Sequence, residues 1–266
     1  MHQPWLVNTA STSAAGAIVV PNLGTLSMGF SHFDGGEMEV TTLEMQEGTG
    51  EIFSANDYSI TFGFSRKLAQ WFAFGSNAKF INSQIWHCNA SAFALDLGVL
   101  VNTGIFSITG KREDGINIGM SISNYGTKMR YGGIDLLNPI DISPDKSGNY
   151  ADVAGQFKTQ GWELPLIFRA GVSMNLISTP LQKFTAALDA LHPNNNSESM
   201  NIGMQYEVKL KGKGAIFLRS GYKALFMEDS QYGLTLGGGL LLYFMDNMGL
   251  KIDYAFEKNK YFGNIN

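Results

Sequence analysis

Apolar residues recur at every second position through most of the chain, most plainly from Met200 to Glu257. There Met200, Ile202, Met204, Tyr206 and Val208 fall on one face, and Asn201, Gly203, Gln205 and Glu207 on the other. The pattern returns as Ile216, Leu218 and Tyr222 against Phe217, Arg219 and Gly221, after a turn at Lys211–Gly214. After Met227–Ser230 it sets Leu234, Leu236, Leu240, Leu242 and Phe244 against Thr235, Gly237, Gly239, Leu241 and Tyr243. It closes with Leu250, Ile252, Tyr254 and Phe256 against Lys251, Asp253, Ala255 and Glu257. A period of two is the period of β-strands. Segments of about ten residues, joined by tight polar turns and carrying large apolar residues on one face only, predict an all-β, antiparallel, up-and-down transmembrane β-barrel. Its outer face meets lipid and its inner face water.

Eight more segments precede these four, at residues 12–20, 25–33, 58–65, 72–80, 92–99, 116–123, 164–174 and 184–190. The expectation is therefore about 12 strands in one domain spanning residues 1–266. Short joints alternate with long ones, which places the excursions at 34–56, 82–90 and 126–161 on the outer side. A loop as long as the last usually carries function. This parity leaves both chain ends outside, whereas a complete barrel has both in the periplasm, so one further strand is expected at each end. Met1–Thr12 carries no basic start, apolar core or small-residue cleavage site. A barrel crossing the inner membrane needs such a signal, so it is expected in residues outside this chain, or else the barrel assignment fails.

Composition sharpens the choice between a barrel and a soluble β-sandwich. Charged residues make up 16%, against about 25% in soluble chains, while glycine numbers 31 and aromatics reach 12%. No stretch approaches the ~20 consecutive apolar residues of a membrane helix. The net charge of -4 offers no basic footprint for nucleic acid. The single Cys88 excludes an intrachain disulfide framework and a multi-cysteine metal site.

Candidate chemistry is sparse. His2, His32, His87 and His192 stand in no metal-ligand spacing, and His87 beside Cys88 lacks further ligands. No nucleophile elbow or phosphate-binding loop occurs, and Gly237–Gly239 lacks the Lys-Ser/Thr that would hold phosphate. Those glycines suit a strand that bends or packs closely. No catalytic residue, cofactor or metal is expected. What remains is a set of inward charges, Lys79, Asp96, Arg169, Asp189, Arg219, Lys251 and Asp253, which either brace facing strands or line a solute path. If the turn 177–182 sets the register of its two strands, paired residues sum to roughly 358, which places Arg169 opposite Asp189. Phe62, Phe64, Phe72, Phe74, Tyr206, Tyr222, Tyr243 and Phe244 point outward as lipid contacts or interface girdles.

Five phrases carry a resemblance: Phe93-Ala-Leu-Asp-Leu-Gly98, Ser121-Ile-Ser-Asn-Tyr-Gly-Thr-Lys-Met-Arg-Tyr-Gly-Gly133, Leu164-Pro-Leu-Ile-Phe-Arg-Ala-Gly171, Leu218-Arg-Ser-Gly-Tyr222 and Lys251-Ile-Asp-Tyr254. In this order they resemble the PorV/PorQ family of Gram-negative outer-membrane barrels, which is related to the FadL-type hydrophobic-solute transporters. The resemblance implies a 14-stranded barrel of which this chain lacks the N-terminal signal and plug and the last C-terminal strand. It also implies a non-enzymatic protein in the outer membrane, surrounded by outer-membrane lipid. Its PorV side implies docking of secreted proteins or a translocon in type IX secretion, with 126–161 and 34–56 as the contact surface. Its FadL side implies the alternative, passage of small hydrophobic molecules through a gated lumen.

Overall fold

Strands form wherever alternation persists, and most run further than the apolar pattern alone marks. The structure is a computed structural model describing residues 1–4, 8–150, 152–210, 212–227, 230–244, 248–259 and 263–265. Parts of the expected turns at 211–214 and 227–230, and of the closing stretch Tyr261–Asn266, lie outside the described residues. The first seven strands are β1 (His2–Pro4), β2 (Ala10–Val20), β3 (Gly24–Glu39), β4 (Ile52–Ala69), β5 (Phe72–Ile85), β6 (Cys88–Asn102) and β7 (Asn117–Gly126). Next come the short β8 (Gly132–Gly133), β9 (Leu137–Ile140) and β10 (Val153–Gln156). The last seven are β11 (Ile167–Ser178), β12 (Gln182–Pro193), β13 (Ser199–Leu210), β14 (Gly214–Leu225), β15 (Leu234–Tyr243), β16 (Gly249–Asn259) and β17 (Gly263–Ile265).

The sheet follows chain order, β1 to β7 and then β11 to β17, each strand hydrogen-bonded to the next; β8 adds to β6, and β9 and β10 form a separate hairpin. Wherever register is defined the pairing is antiparallel. All twelve expected segments are present as strands. Two short strands extend the set, with His2 opposite Thr12 at one end and Glu257 opposite Ile265 at the other. Gly263–Ile265 pairs with β16 over three positions. The segment 82–90 is also corrected: β5 and β6 meet at Trp86 and His87, a tight turn in which Trp86 takes φ +51°. The two ends of the excursion 34–56 form a paired arm, with Met38 opposite Phe53 and Glu39 opposite Ile52.

Two compact units divide the chain. One comprises Met1–Ser65, Ser76–Asp96 and Asn124–Leu164; the other comprises Arg66–Gly75, Leu97–Ser123 and Pro165–Asn266. In both, burial runs opposite to that of a soluble protein. Phe62 is exposed and its neighbour Gly63 buried; Leu218 is 60% exposed while its charged neighbour Arg219 is half-buried. Among the described residues no large side chain is fully buried. A two-sheet sandwich would have buried Phe62, Phe64, Phe72 and Phe74 between its layers. Exposed Ile202, Met204, Leu218, Leu234, Leu236 and Ile252 lie on adjacent strands, an apolar area of the kind that marks a membrane or partner contact.

The only apolar cluster of buried residues described lies in the first unit and is made of small side chains. Ala90, Ala92 and Ala94 alternate along β6, each at most 3% exposed, beneath Met129 and Leu164, with Ile81 and Tyr131 alongside. Met129 bridges Trp162, each donating its N–H to the other's carbonyl at 2.9 Å. The excursion 126–161 is thus a loop whose two ends are packed down, with the β9–β10 hairpin between them.

The expected Arg169–Asp189 pairing is corrected as well. Asp189 stands opposite Gly171, and Arg169 opposite Leu191, so the register differs by two residues. The turn is shorter and centred later than expected, with Ser178 opposite Lys183, and a bulge between Asn175 and Ile177 shifts the register again. No ion pair joins Arg169 and Asp189.

Candidate functional site

In the second unit, registers fix which side chains share the polar face of β12 to β16. Thr185, Gln205, Arg219, Gly237 and Ala255 form one cross-strand row. The next row is Ala187, Gly203, Gly221, Thr235 and Glu257. Directly opposed side chains on one face lie ~5 Å apart, so glycine and alanine here leave a floor of backbone and methyl carbon. A groove of about 670 Å³ opens above it, lined among others by Ala187, Gly203, Gly221, Gly237 and Ala255. A Cβ built on Gly203 would meet nothing within 4 Å, so this glycine faces open space.

Polar side chains edge this floor. The Arg219 guanidinium donates from Nε to Gln205 Oε1 at 2.8 Å and from a terminal nitrogen to Asp253 Oδ1. Lys251 approaches the other Asp253 oxygen at 3.4 Å, and both cations lie 5.2 Å from the Phe217 ring centre. On the far side Lys223 pairs with Glu257 at 3.3 Å and sits 3.9 Å from the Tyr232 ring centre. Asn201 uses its side-chain carbonyl to accept from the Ala224 N–H at 2.9 Å. Gly239 has a specific reason to be glycine: a Cβ there would stand 2.3 Å from Asp253 Oδ1.

The first unit holds a second polar cluster. Lys79 Nζ lies 2.7 Å from Asp96 Oδ2 and donates to Asn124 Oδ1 at 2.9 Å. Asp96 also accepts from Asn77 Nδ2 at 3.2 Å and from the Asn124 N–H at 2.9 Å. Every acceptor on Asp96 is thus used within the wall, which suits bracing. At the β5–β6 turn His87 stacks on Trp86, and its backbone N–H and ring Nδ1 reach the Asp135 carboxylate at 3.1 and 2.8 Å. Burial pushes the Asp135 carboxyl up, but these bonds from His87 outweigh it and hold it below the usual carboxylate range. The Tyr131 hydroxyl meets Ser83 Oγ at 2.6 Å.

A third network ties the linker between β6 and β7 to β11. In the 3-10 turn Arg112–Asp114, the buried Asp114 accepts from Thr109 Oγ1 and from Asn175 Nδ2, the latter at 2.9 Å. Thr185 Oγ1 donates to the Asn175 carbonyl oxygen at 2.8 Å. The Thr109 hydrogen bond is the main cause holding the Asp114 carboxyl below its ordinary range; burial opposes it, while Ser178, Asn175 and the nearby Lys183 charge add to it.

Of the seven charges expected to face inward, the structure joins Lys79 with Asp96, and Arg219 and Lys251 with Asp253. It leaves Arg169 exposed and Asp189 against Gly171. Gln205, Asn201, Lys223 and Glu257 were legible by parity, since all are odd-numbered like Arg219. The His87–Asp135 and Asp114–Asn175 contacts cross long sequence gaps with no local signal. Among the described residues no group of three histidine, cysteine or acidic side chains is placed to hold a metal.

No protein-family model and no curated protein sequence matches the chain. Among solved structures, the Ralstonia pickettii toluene transporter TbuX is similar at a TM-score of 0.51 and 8% identity, over 97% of this chain and 82% of that one. A Pseudomonas aeruginosa FadL homologue is similar at a TM-score of 0.48 and 11% identity, over 95% of this chain and 70% of that one. The TbuX likeness shows the fold: an all-β, antiparallel, up-and-down barrel of the transmembrane class.

Proposed function

We propose that this chain is a non-enzymatic β-barrel of a Gram-negative outer membrane and that it passes small hydrophobic solutes. The fold it shares with a toluene transporter carries this reading, which is the alternative that the resemblance offered. Two features of the molecule agree with it. Large apolar side chains are presented outward where only hydrocarbon suits them, and the opposite face of β12 to β16 carries a groove with a carbon floor. The docking reading drawn from PorV/PorQ and type IX secretion lacks comparable support. Of its two expected surfaces, 34–56 and 126–161, the second is held down on β6 by Met129, Leu164 and the β8 pairing.

The test is flux into proteoliposomes with toluene as the probe. Gly203→Trp fills the groove without meeting any neighbour of its Cβ. Toluene flux is expected to fall severalfold in this variant while a substitution on the lipid face, Met204→Leu, leaves it unchanged. Equal flux in both variants and in empty vesicles would remove the transport reading.

A further inference from the structure

We infer that the groove on β12 to β16 selects solutes that join a small apolar body to a cationic, hydrogen-bond-donating group, and that Asp189 receives that group. This deepens the proposed solute path and rests on it. Three features of the groove combine.

The floor accepts an apolar body. Gly203, Gly221 and Gly237 lie on adjacent strands, with open space above Gly203 and the Thr235 hydroxyl and the Arg219 stem beside the other two, and the volume of about 670 Å³ exceeds that of a single aromatic ring. A flat carbon floor gives area without direction, so orientation must come from the rim.

Most of the rim is already engaged. Asp253 neutralises Arg219, with Lys251 sharing the same carboxylate, and Glu257 neutralises Lys223. The carbonyls of Gln205 and Asn201 accept from Arg219 and from the Ala224 backbone. These groups offer a solute no uncommitted anion.

Asp189 differs. It lines the groove, and its direct cross-strand neighbours, Gly171 on β11 and Asn201 on β13, carry no charge. Gly171 leaves room for the carboxylate: a Cβ there would stand 2.1 Å from Asp189 Oδ1. Arg169 on β11 is the cation nearest in register. It is opposite Leu191 rather than Asp189, is exposed and makes no ion pair with it. A carboxylate accepts only, so its natural complement is an ammonium or another strong donor at the end of an apolar body.

The test compares three probes of one shape on the full chain in detergent: benzylamine, which is cationic at neutral pH, benzyl alcohol and benzoate. Binding is read by ligand-observed NMR against a matched detergent blank. Benzylamine is expected to bind about fivefold more tightly than benzyl alcohol, as befits a partly solvated charge pair, and benzoate more weakly than either. Asp189→Asn should abolish the preference while retaining benzyl alcohol binding, which also reports an intact groove. Arg169→Gln should leave the preference in place or raise it. Equal binding of benzylamine and benzyl alcohol, or a preference for benzoate, would overturn this inference and leave the transport reading standing. Failure of all three probes to bind would overturn both. A preference that survives Asp189→Asn would assign the cation to another group and overturn the role given to Asp189.

Discussion

Glycines on the polar face serve different ends, and single substitutions separate them. Gly203 faces open space, so Gly203→Ala should change stability by no more than about 0.5 kcal/mol. Gly214 takes φ +145°, and a Cβ there would stand 1.8 Å from the Leu241 carbonyl oxygen, a backbone atom that cannot move aside. Gly214→Ala should cost about 2 kcal/mol or more, seen as a lower urea midpoint for the detergent-folded protein. The difference was invisible in the sequence, where both are glycines in or beside an alternating run. Alternation, by contrast, groups Lys79 with Asp96 and Arg219 with Asp253 on one expected face, and both pairs are found in contact. Register was not. The turn is centred later than its residues suggest, which carries Arg169 and Asp189 out of opposition, and the bulge between Asn175 and Ile177, which has no marker in side-chain type, takes back one residue of that shift.

At the scale of elements, the segments between strands proved the hardest to read. Alternation ends in them, so nothing in the pattern announced that Met129 and Leu164 would cover Ala90, Ala92 and Ala94. Met129→Ala should destabilise the barrel by about 2 kcal/mol or more, since a buried side chain leaves a cavity over residues too small to fill it. The β9–β10 hairpin is separable from that packing. The Phe157 N–H bonds to the Leu136 carbonyl at 2.9 Å, so excising 137–156 with a short glycine link should shift the same urea midpoint very little. The linker before β7 carries a pH dependence of definite sign. Asp114 has its carboxyl held low in the folded state, so its contribution is full above the ordinary carboxylate range and is lost as pH falls through the lowered value. Proteolysis of 103–116 should therefore accelerate only under acid conditions, below about pH 4. In Asp114→Asn that acid-dependent step should be absent. Acceleration of equal size in the variant would assign the effect to other carboxyls.

For the whole molecule the decisive property is which face meets hydrocarbon. The barrel class followed from period and composition together, because 16% charge and exposed alternate apolar residues fit no soluble arrangement of this size. Transport follows less directly, since solute choice depends on groove shape and on carboxylates whose partners only the register reveals. The most direct measurement is a single-cysteine scan of β13 at positions 202 to 205, in a Cys88→Ser background, with the protein in phospholipid vesicles. A membrane-impermeant maleimide reports water, and quenching of an attached fluorophore by brominated lipid reports hydrocarbon. The expected result alternates strictly: cysteines replacing Ile202 and Met204 are quenched by lipid and resist the maleimide, while those replacing Gly203 and Gln205 react with it and are not quenched. Uniform labelling of all four positions, or quenching at 203 and 205, would contradict the assignment of the two faces and with it the barrel in a membrane.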